Sequence, residues 1–260
     1  MTFKNLTLAF ILFFAVSACR KNNEFPNVEI YGHAAMGLSM PNSGFHANSQ
    51  EAMQLAFSFP VLKGVELDVR MSKDGELWLF HDSFLDGETD GTGCVESRSS
   101  DELSKLMYTS IHREKLVNLS TLTLDESKHY FFDLKFINAC ENKVVDTSLF
   151  KQKLMGIWNS NMTLILPSSK FFPTFGTAFK CILSSDDYQV LTNELSTKEW
   201  YGAVIRNNNI TKEQVNELLS SGKKIFLYDI RSPKGNLEAL KKEPSGIITD
   251  EVRSAQALLH

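Results

Sequence analysis

The stretch Val65-Glu66-Leu67-Asp68-Val69 is followed by Met71-Ser72-Lys73-Asp74-Gly75 and then by Leu79-Phe80-His81-Asp82. Glu66 and Asp68 stand two residues apart inside an apolar run. On a strand, that spacing puts both carboxylates on one face. Two anions on a buried face repel each other and lose hydration, so they need a compensating cation. A hard divalent metal with oxygen ligands meets that need. Lys73-Asp74-Gly75 reads as a tight turn. A hairpin folded there brings His81 roughly opposite Glu66, and an imidazole beside a metal is hydrolase chemistry. The structural alternative is simple: an E-x-D can be the polar face of a half-exposed strand, and a lone His can be a satisfied core residue. The functional reading gains from two further segments, which supply His33 and Asp133.

Working outward, short apolar strands alternate with helical patterns. Strands are expected at Val28 to Gly32, Val65 to Val69, Tyr130 to Leu134, Met162 to Leu166, Lys180 to Leu183, Ala203 to Arg206, Ile225 to Tyr228 and Gly246 to Thr249. Leu77 to Phe80 is the return arm of the hairpin. Ser49 caps a helix through Phe57, Asp101 caps a short one to Met107, and a helix is read over Asp146 to Trp158. Thr211 and Gln214 form a capping box, and Val252 to Leu259 closes the chain. Eight strands interleaved with helices predict an α/β TIM (β/α)8 barrel with a hairpin and loop insertion after strand two. Active sites in that fold lie at the C-terminal strand ends, and His33, Glu66, Asp68 and Asp133 all fall at or near them.

The chain has 260 residues, 43% hydrophobic and 22% charged, with a net charge of -4. This is ordinary globular composition. Its acidic balance argues against nucleic acid as a partner, since a phosphate backbone requires a basic face.

The N-terminus reads as a leader. Lys4 precedes an apolar run from Leu6 to Val16 that is short for a bilayer span. Val16-Ser17-Ala18-Cys19 resembles the lipobox of bacterial lipoproteins, with an ordinary secretory signal as the alternative. The resemblance implies a signal peptide over 1–18, a lipidated Cys19, a tether over 19–27 and a folded domain over 28–260. It also implies a lipid anchor holding the protein to a membrane of the bacterial cell envelope, periplasmic or outer. Of the 4 cysteines, Cys94, Cys140 and Cys181 then remain. Cys181 falls in an expected core strand and reads as a buried thiol. Cys94 and Cys140 lie in loops, where either a bridge or two free thiols is allowed.

Across 29–257, and most strongly across 31–93, the sequence resembles the glycerophosphodiester phosphodiesterase family. The matching segments are Gly32-His33-Ala34-Ala35, His46-Ala47-Asn48-Ser49, Glu66-Leu67-Asp68-Val69, Ser72-Lys73-Asp74-Gly75, His81-Asp82, Asp133-Leu134-Lys135 and Gly246-Ile247-Ile248-Thr249-Asp250. The resemblance implies that His33 and His81 are the catalytic pair; the chemistry needs one as base and one as acid, and either order is open, with His33 as base the favoured one. It implies that Glu66, Asp68 and Asp133 hold a divalent metal, Ca²⁺ or Mg²⁺ by donor hardness. Lys135 would meet the phosphate, and Asp82 would orient its surroundings. Phe132-Asp133-Leu134-Lys135 also resembles the same strand of the related phospholipase D toxins of spider venom. This chain departs from the family at four places. Ala34 replaces the Arg after the first His, and Ala47 replaces a Glu. Asp133 shortens a Glu, and Tyr228-Asp229-Ile230 replaces a Trp-Thr-x-Asn.

The implied activity is metal-dependent hydrolysis of small glycerophosphodiesters to glycerol 3-phosphate and an alcohol. The alternatives are a phospholipid-cleaving relative, or a lipoprotein that binds phosphate esters without turnover. His46, His112 and His129 have no carboxylate cluster beside them in sequence. Asp86-Gly87-Glu88-Thr89-Asp90-Gly91 imitates the start of an EF-hand loop, but Ser97 stands where the twelfth-position Glu belongs.

Overall fold

Apolar residues, with leucine beside the β-branched and aromatic ones, dominate the eight strands that form the centre of the molecule, a composition suited to a sheet buried on both faces. A computed structural model describes residues 24–38 and 43–259. The expected signal peptide and the lipidation candidate Cys19 lie outside the described residues. Among the described residues, no helix is long and apolar enough to cross a membrane.

Twelve strands are named here in chain order. They are β1 (Glu29–Gly32), β2 (Leu62–Met71), β3 (Leu77–Leu79), β4 (Val117–Asn118), β5 (His129–Leu134) and β6 (Ile137–Asn138). The remainder are β7 (Lys143–Val144), β8 (Met162–Leu166), β9 (Cys181–Ser184), β10 (Gly202–Arg206), β11 (Lys224–Ile230) and β12 (Gly246–Thr249). β1, β2, β5, β8, β9, β10, β11 and β12 are parallel neighbours in that order, and β1 pairs with both β12 and β2. The sheet therefore closes, giving the TIM barrel read from the sequence.

Alternation assigns the two faces of each strand. Tyr31, Phe131, Ile165, Ile182, Val204, Phe226 and Ile248 meet inside the barrel as one cluster. Their neighbours, such as Ile30, Phe132, Leu164, Ile205, Leu227 and Ile247, join the larger core outside it. Phe131 and Phe132 thus point to opposite sides. Level with the aromatic interior layer and just above it the same face turns acidic: Glu66 is in register with Phe131, and Asp68 with Asp133.

Side-chain caps start the outer helices. Ser49 caps Gln50–Phe57, Asp146 caps Thr147–Met155, and Thr211 forms the expected capping box with Gln214 on Lys212–Ser220. The helix expected from an Asp101 cap is instead the single turn Ser100–Leu103, with Ser99 and Glu102 forming the capping box. Besides the single turn Phe172–Phe175, two longer helices were not foreseen. Asp187 caps Tyr188–Thr197, and Ser232 caps Pro233–Leu240 with the proline in its first turn. Their signals were the Asp cap and the Ser-Pro start.

The insertion after the second barrel strand hangs from β2, which runs beyond the barrel and pairs antiparallel with β3, and β3 with β4. Trp78, Phe80, Leu85, Val95, Leu103 and Tyr108 give it a small core of its own. The hairpin register is Val69 to Leu79 and Met71 to Leu77, which extrapolates to His81 opposite Leu67. The expected alignment with Glu66 is therefore off by one. The chain leaves the strand after Leu79, and this frees His81 from the pleat. A disulfide joins Cys94 to Cys140 and so ties the insertion to the segment following β5, while Cys181 is a buried free thiol.

Candidate active site

The acidic interior face converges at the top of the barrel. Glu66, Asp68 and Asp133 each offer an oxygen, and these oxygens lie within 4.8 Å of one another. Glu66 and Asp68 are buried. Burial and the Asp68 charge push the Glu66 carboxyl up to about 8, against the pull of His33. Asp68 goes the other way: burial opposes ionisation, but Lys135, His81 and a hydrogen bond from Asn48 hold it down at about 2. The Lys135 ammonium lies 3.0 Å from Asp68 and 2.5 Å from Asp133. Burial disfavours that ammonium, and the surrounding carboxylates more than restore it, so its pKa is raised. Three hard oxygen donors around one point, with a single ammonium for compensation, fit a divalent cation. No other group of three such donors occurs among the described residues.

Asn48 fixes Asp68 by a reciprocal pair of bonds. Its side-chain amide donates to Asp68 at 2.8 Å, and the Asp68 backbone N–H donates to Asn48 Oδ1 at 3.0 Å. Asn48 has φ 62°, a left-handed conformation that asparagine tolerates.

His33 follows β1 through a sharp turn. A Cβ on Gly32 would sit 1.8 Å from the Ala35 carbonyl oxygen, so only glycine permits this approach. Ala34 and Ala35 take φ 42° and 78°, and the turn aims the Ala34 N–H at Glu66, 2.9 Å away. Both alanines are fully buried. His33 Nδ1 meets Asp250 at 3.0 Å and Nε2 faces Glu66 at 3.8 Å. Burial disfavours the imidazolium, but the Asp250 hydrogen bond and the Glu66 charge outweigh it and raise the pKa to about 9. Asp250 also accepts from the Leu38 N–H at 2.6 Å.

His81 lines the same cavity as His33, with its side chain 39% exposed and Nδ1 2.6 Å from Asp82. Its carbonyl is held by Arg70, whose Nη2 and Nε donate at 2.9 and 3.3 Å. Arg70 is buried and pairs with buried Glu96 at 2.7 Å. Arg70 is two residues beyond Asp68 on the same face of β2, and this E-x-D-x-R alternation was the signal for its inward side chain.

His33, Glu66, Asp68, His81, Asp133 and Lys135 therefore all line one cavity of about 380 Å³. A smaller cavity of about 190 Å³ adjoins it, shares Leu38 and His81 with it, and is lined by Ala47 and His46. His46 is not isolated as its sequence neighbours imply. Glu88, distant in sequence, lies 2.5 Å from its Nε2, and its ring stacks on Tyr108 at 3.7 Å. The EF-hand-like loop closes on itself, with the Gly93 N–H bonded to Asp86 at 2.7 Å.

Comparison with known proteins agrees with this geometry. Residues 33–148 match the glycerophosphoryl diester phosphodiesterase family model. A glycerophosphodiester phosphodiesterase of Caldanaerobacter subterraneus is 26% identical over 205 residues, covering 72% of this chain and 82% of that protein. One from Bacillus subtilis is 33% identical over 110 residues, covering 35% of this chain and 37% of that protein. Among solved structures, an Oleispira antarctica phosphodiesterase in complex with sn-glycerol-3-phosphate superposes with a TM-score of 0.71 at 18% identity, covering 88% of this chain and 96% of that one. A glycerophosphodiester phosphodiesterase from Agrobacterium tumefaciens gives 0.73 at 19% identity, covering 88% and 99%. Over residues 33–148 the chain is thus similar in sequence to the glycerophosphoryl diester phosphodiesterase family, and it shares the barrel fold of the solved structures.

Proposed function

We propose that this protein hydrolyses glycerophosphodiesters to glycerol 3-phosphate and an alcohol, with a divalent cation held by Glu66, Asp68 and Asp133. The observation that carries the reading is the convergence of that carboxylate set, Lys135 and two carboxylate-paired histidines on one cavity. When bound, the cation supplies positive charge to a phosphodiester that grows more negative as a nucleophile adds. Lys135 adds a permanent positive charge to the same place. Each histidine commits Nδ1 to a carboxylate, Asp250 for His33 and Asp82 for His81, which leaves Nε2 for proton transfer. A base must be neutral, and a cation on Glu66 would offset the negative charge that holds the His33 imidazolium, so that His33 would take the proton from the attacking hydroxyl as its oxygen bonds to phosphorus. His81 gives a proton to the alkoxide as the second P–O bond breaks. The attacking hydroxyl is water or the substrate's own glycerol 2-hydroxyl.

Release of glycerol 3-phosphate from glycerophosphocholine and related diesters, measured with Ca²⁺ or Mg²⁺ and with a chelator, tests this reading. Binding without release would favour a non-catalytic phosphate-ester protein. We also place the chain in the bacterial cell envelope, anchored through Cys19. The Cys94–Cys140 disulfide supports an oxidising compartment. Mass analysis of the mature N-terminus, expected to show a lipidated cysteine, tests the placement.

A further inference from the structure

The large cavity has a second wall that neither the carboxylate set nor the histidines use, built at the C-terminal ends of β9, β10 and β11 and from Arg231 just beyond β11, with Asp186 of the loop after β9 paired to it from outside the lining. There the pairing of β11 with β12 slips between Leu227 and Ile230, and Asp229 within the slip has φ 60°. Bulges of this kind re-aim side chains next to functional sites. Two arginines hold the strained Asp229: Arg206 at 2.7 Å and Arg231 at 2.6 Å. Arg206 also pairs with Asp186 at 2.7 Å, and the Tyr228 hydroxyl donates to Asp186 at 2.9 Å. The Arg206 guanidinium lies over the Tyr228 ring, 5.3 Å from its centre.

We propose that this wall selects the alcohol of the diester, taking a neutral, hydroxyl-rich group and excluding a quaternary ammonium. The inference rests on the diesterase reading above. Two arginines and two aspartates cancel in charge, so neither an anionic nor a cationic headgroup gains from the wall as a whole. Guanidinium N–H donors alternate with carboxylate acceptors, and a hydroxyl, which both donates and accepts, matches that alternation. A quaternary ammonium binds through an open aromatic face. Arg206, itself a cation, already occupies the face of Tyr228. The carbon skeleton of a polyol would rest on Ile165, Val204 and Ile248, which line the cavity floor. The adjoining 190 Å³ cavity, reached past His81, is left for the three-carbon glycerol common to all substrates.

Steady-state kinetics of the full chain on glycerophosphoinositol, glycerophosphoglycerol and glycerophosphocholine test the inference. The two polyol esters should show a KM about tenfold below that of the choline ester, the worth of one charged hydrogen bond. Arg206→Met should narrow or reverse that ratio, raising KM for the polyol esters while the uncovered Tyr228 face lowers it for the choline ester. Arg206→Lys, which keeps the charge and the fold but not the fork of donors, should fall between. Equal KM values across the three substrates, or a parallel change on all three in both variants, would overturn the wall as a selector and leave the diesterase reading standing. Hydrolysis of none of them would overturn that reading, and the inference with it.

Discussion

Asp68 and Asp133 face each other in register across neighbouring parallel strands, with the Lys135 ammonium bridging their carboxylates at 3.0 and 2.5 Å. Two carboxylates on adjacent strands at this spacing destabilise the barrel mouth unless a cation sits with them. Lys135 supplies one charge, and Glu66 adds a third carboxylate nearby. Binding a divalent ion to this set should therefore stabilise the fold as well as support turnover.

The first prediction follows. Ca²⁺ or Mg²⁺ should raise Tm in thermal unfolding, and Asp68→Asn should abolish that rise while keeping the barrel. Turnover by Asp68→Asn should fall by at least about a hundredfold, the scale lost when a preorganised electrostatic group is removed. Full activity of the wild type in excess chelator would contradict the metal role.

The histidines give a second prediction. His33→Ala and His81→Ala should each lower kcat by roughly a hundredfold to ten-thousandfold. Asp250→Asn should act through His33, which loses the carboxylate charge beside Nδ1, and should shift the pH–rate profile along with kcat. His46→Ala provides the contrast. His46 lines only the adjoining cavity, so its loss should appear in KM. A mutant at His33 or His81 with near-normal kcat would remove that residue from the proposed chemistry.

The barrel was legible because each parallel strand is an apolar run of strand length, and the acidic set because Glu66 and Asp68 interrupt such a run with the period of a strand. Partners distant in sequence were not legible. Asp250 reaches His33, and Glu88 reaches His46, only once the barrel closes and the insertion folds over it. The one-residue error in the position of His81 has a similar origin. Sequence located the turn at Lys73-Asp74-Gly75, but register depends on which residues pair across it, Met71 with Leu77. The Tyr188–Thr197 and Pro233–Leu240 helices had readable starts in the Asp187 cap and the Ser232-Pro233 pair.

A third prediction concerns Arg70 and Glu96, a buried pair beneath His81. Removing one partner strands the other charge, so Glu96→Gln or Arg70→Met should each cost about 3–5 kcal/mol in urea unfolding. Replacing both with apolar residues should recover much of that stability. It should not recover turnover, because the His81 carbonyl has then lost the two donors that hold it. A double variant with both stability and kcat restored would show that Arg70 plays no part in positioning His81.

The last prediction uses a histidine remote from the chemistry. His129 begins β5 at the opposite end of the barrel, with its ring against Tyr31 and Phe131 and Nε2 3.0 Å from the Thr163 hydroxyl. Burial, with Lys180 and Lys63 nearby, lowers its pKa from the ordinary 6.5 to about 4. The folded state therefore keeps His129 neutral where the unfolded chain would protonate it. Between about pH 6.5 and 4 the unfolded state binds the extra proton, so stability falls as pH falls. The contribution is fully present above 6.5, and a shift of this size is worth roughly 2–3 kcal/mol by the time pH reaches 4. His129→Gln removes the titration and can keep a hydrogen bond to Thr163, so it should flatten this part of the stability–pH curve and leave the alkaline side nearly unchanged. Urea unfolding of both proteins at pH 4.5, 5.5 and 7.5 measures the difference directly. Parallel curves would mean that His129 is hydrated enough to protonate in the folded barrel.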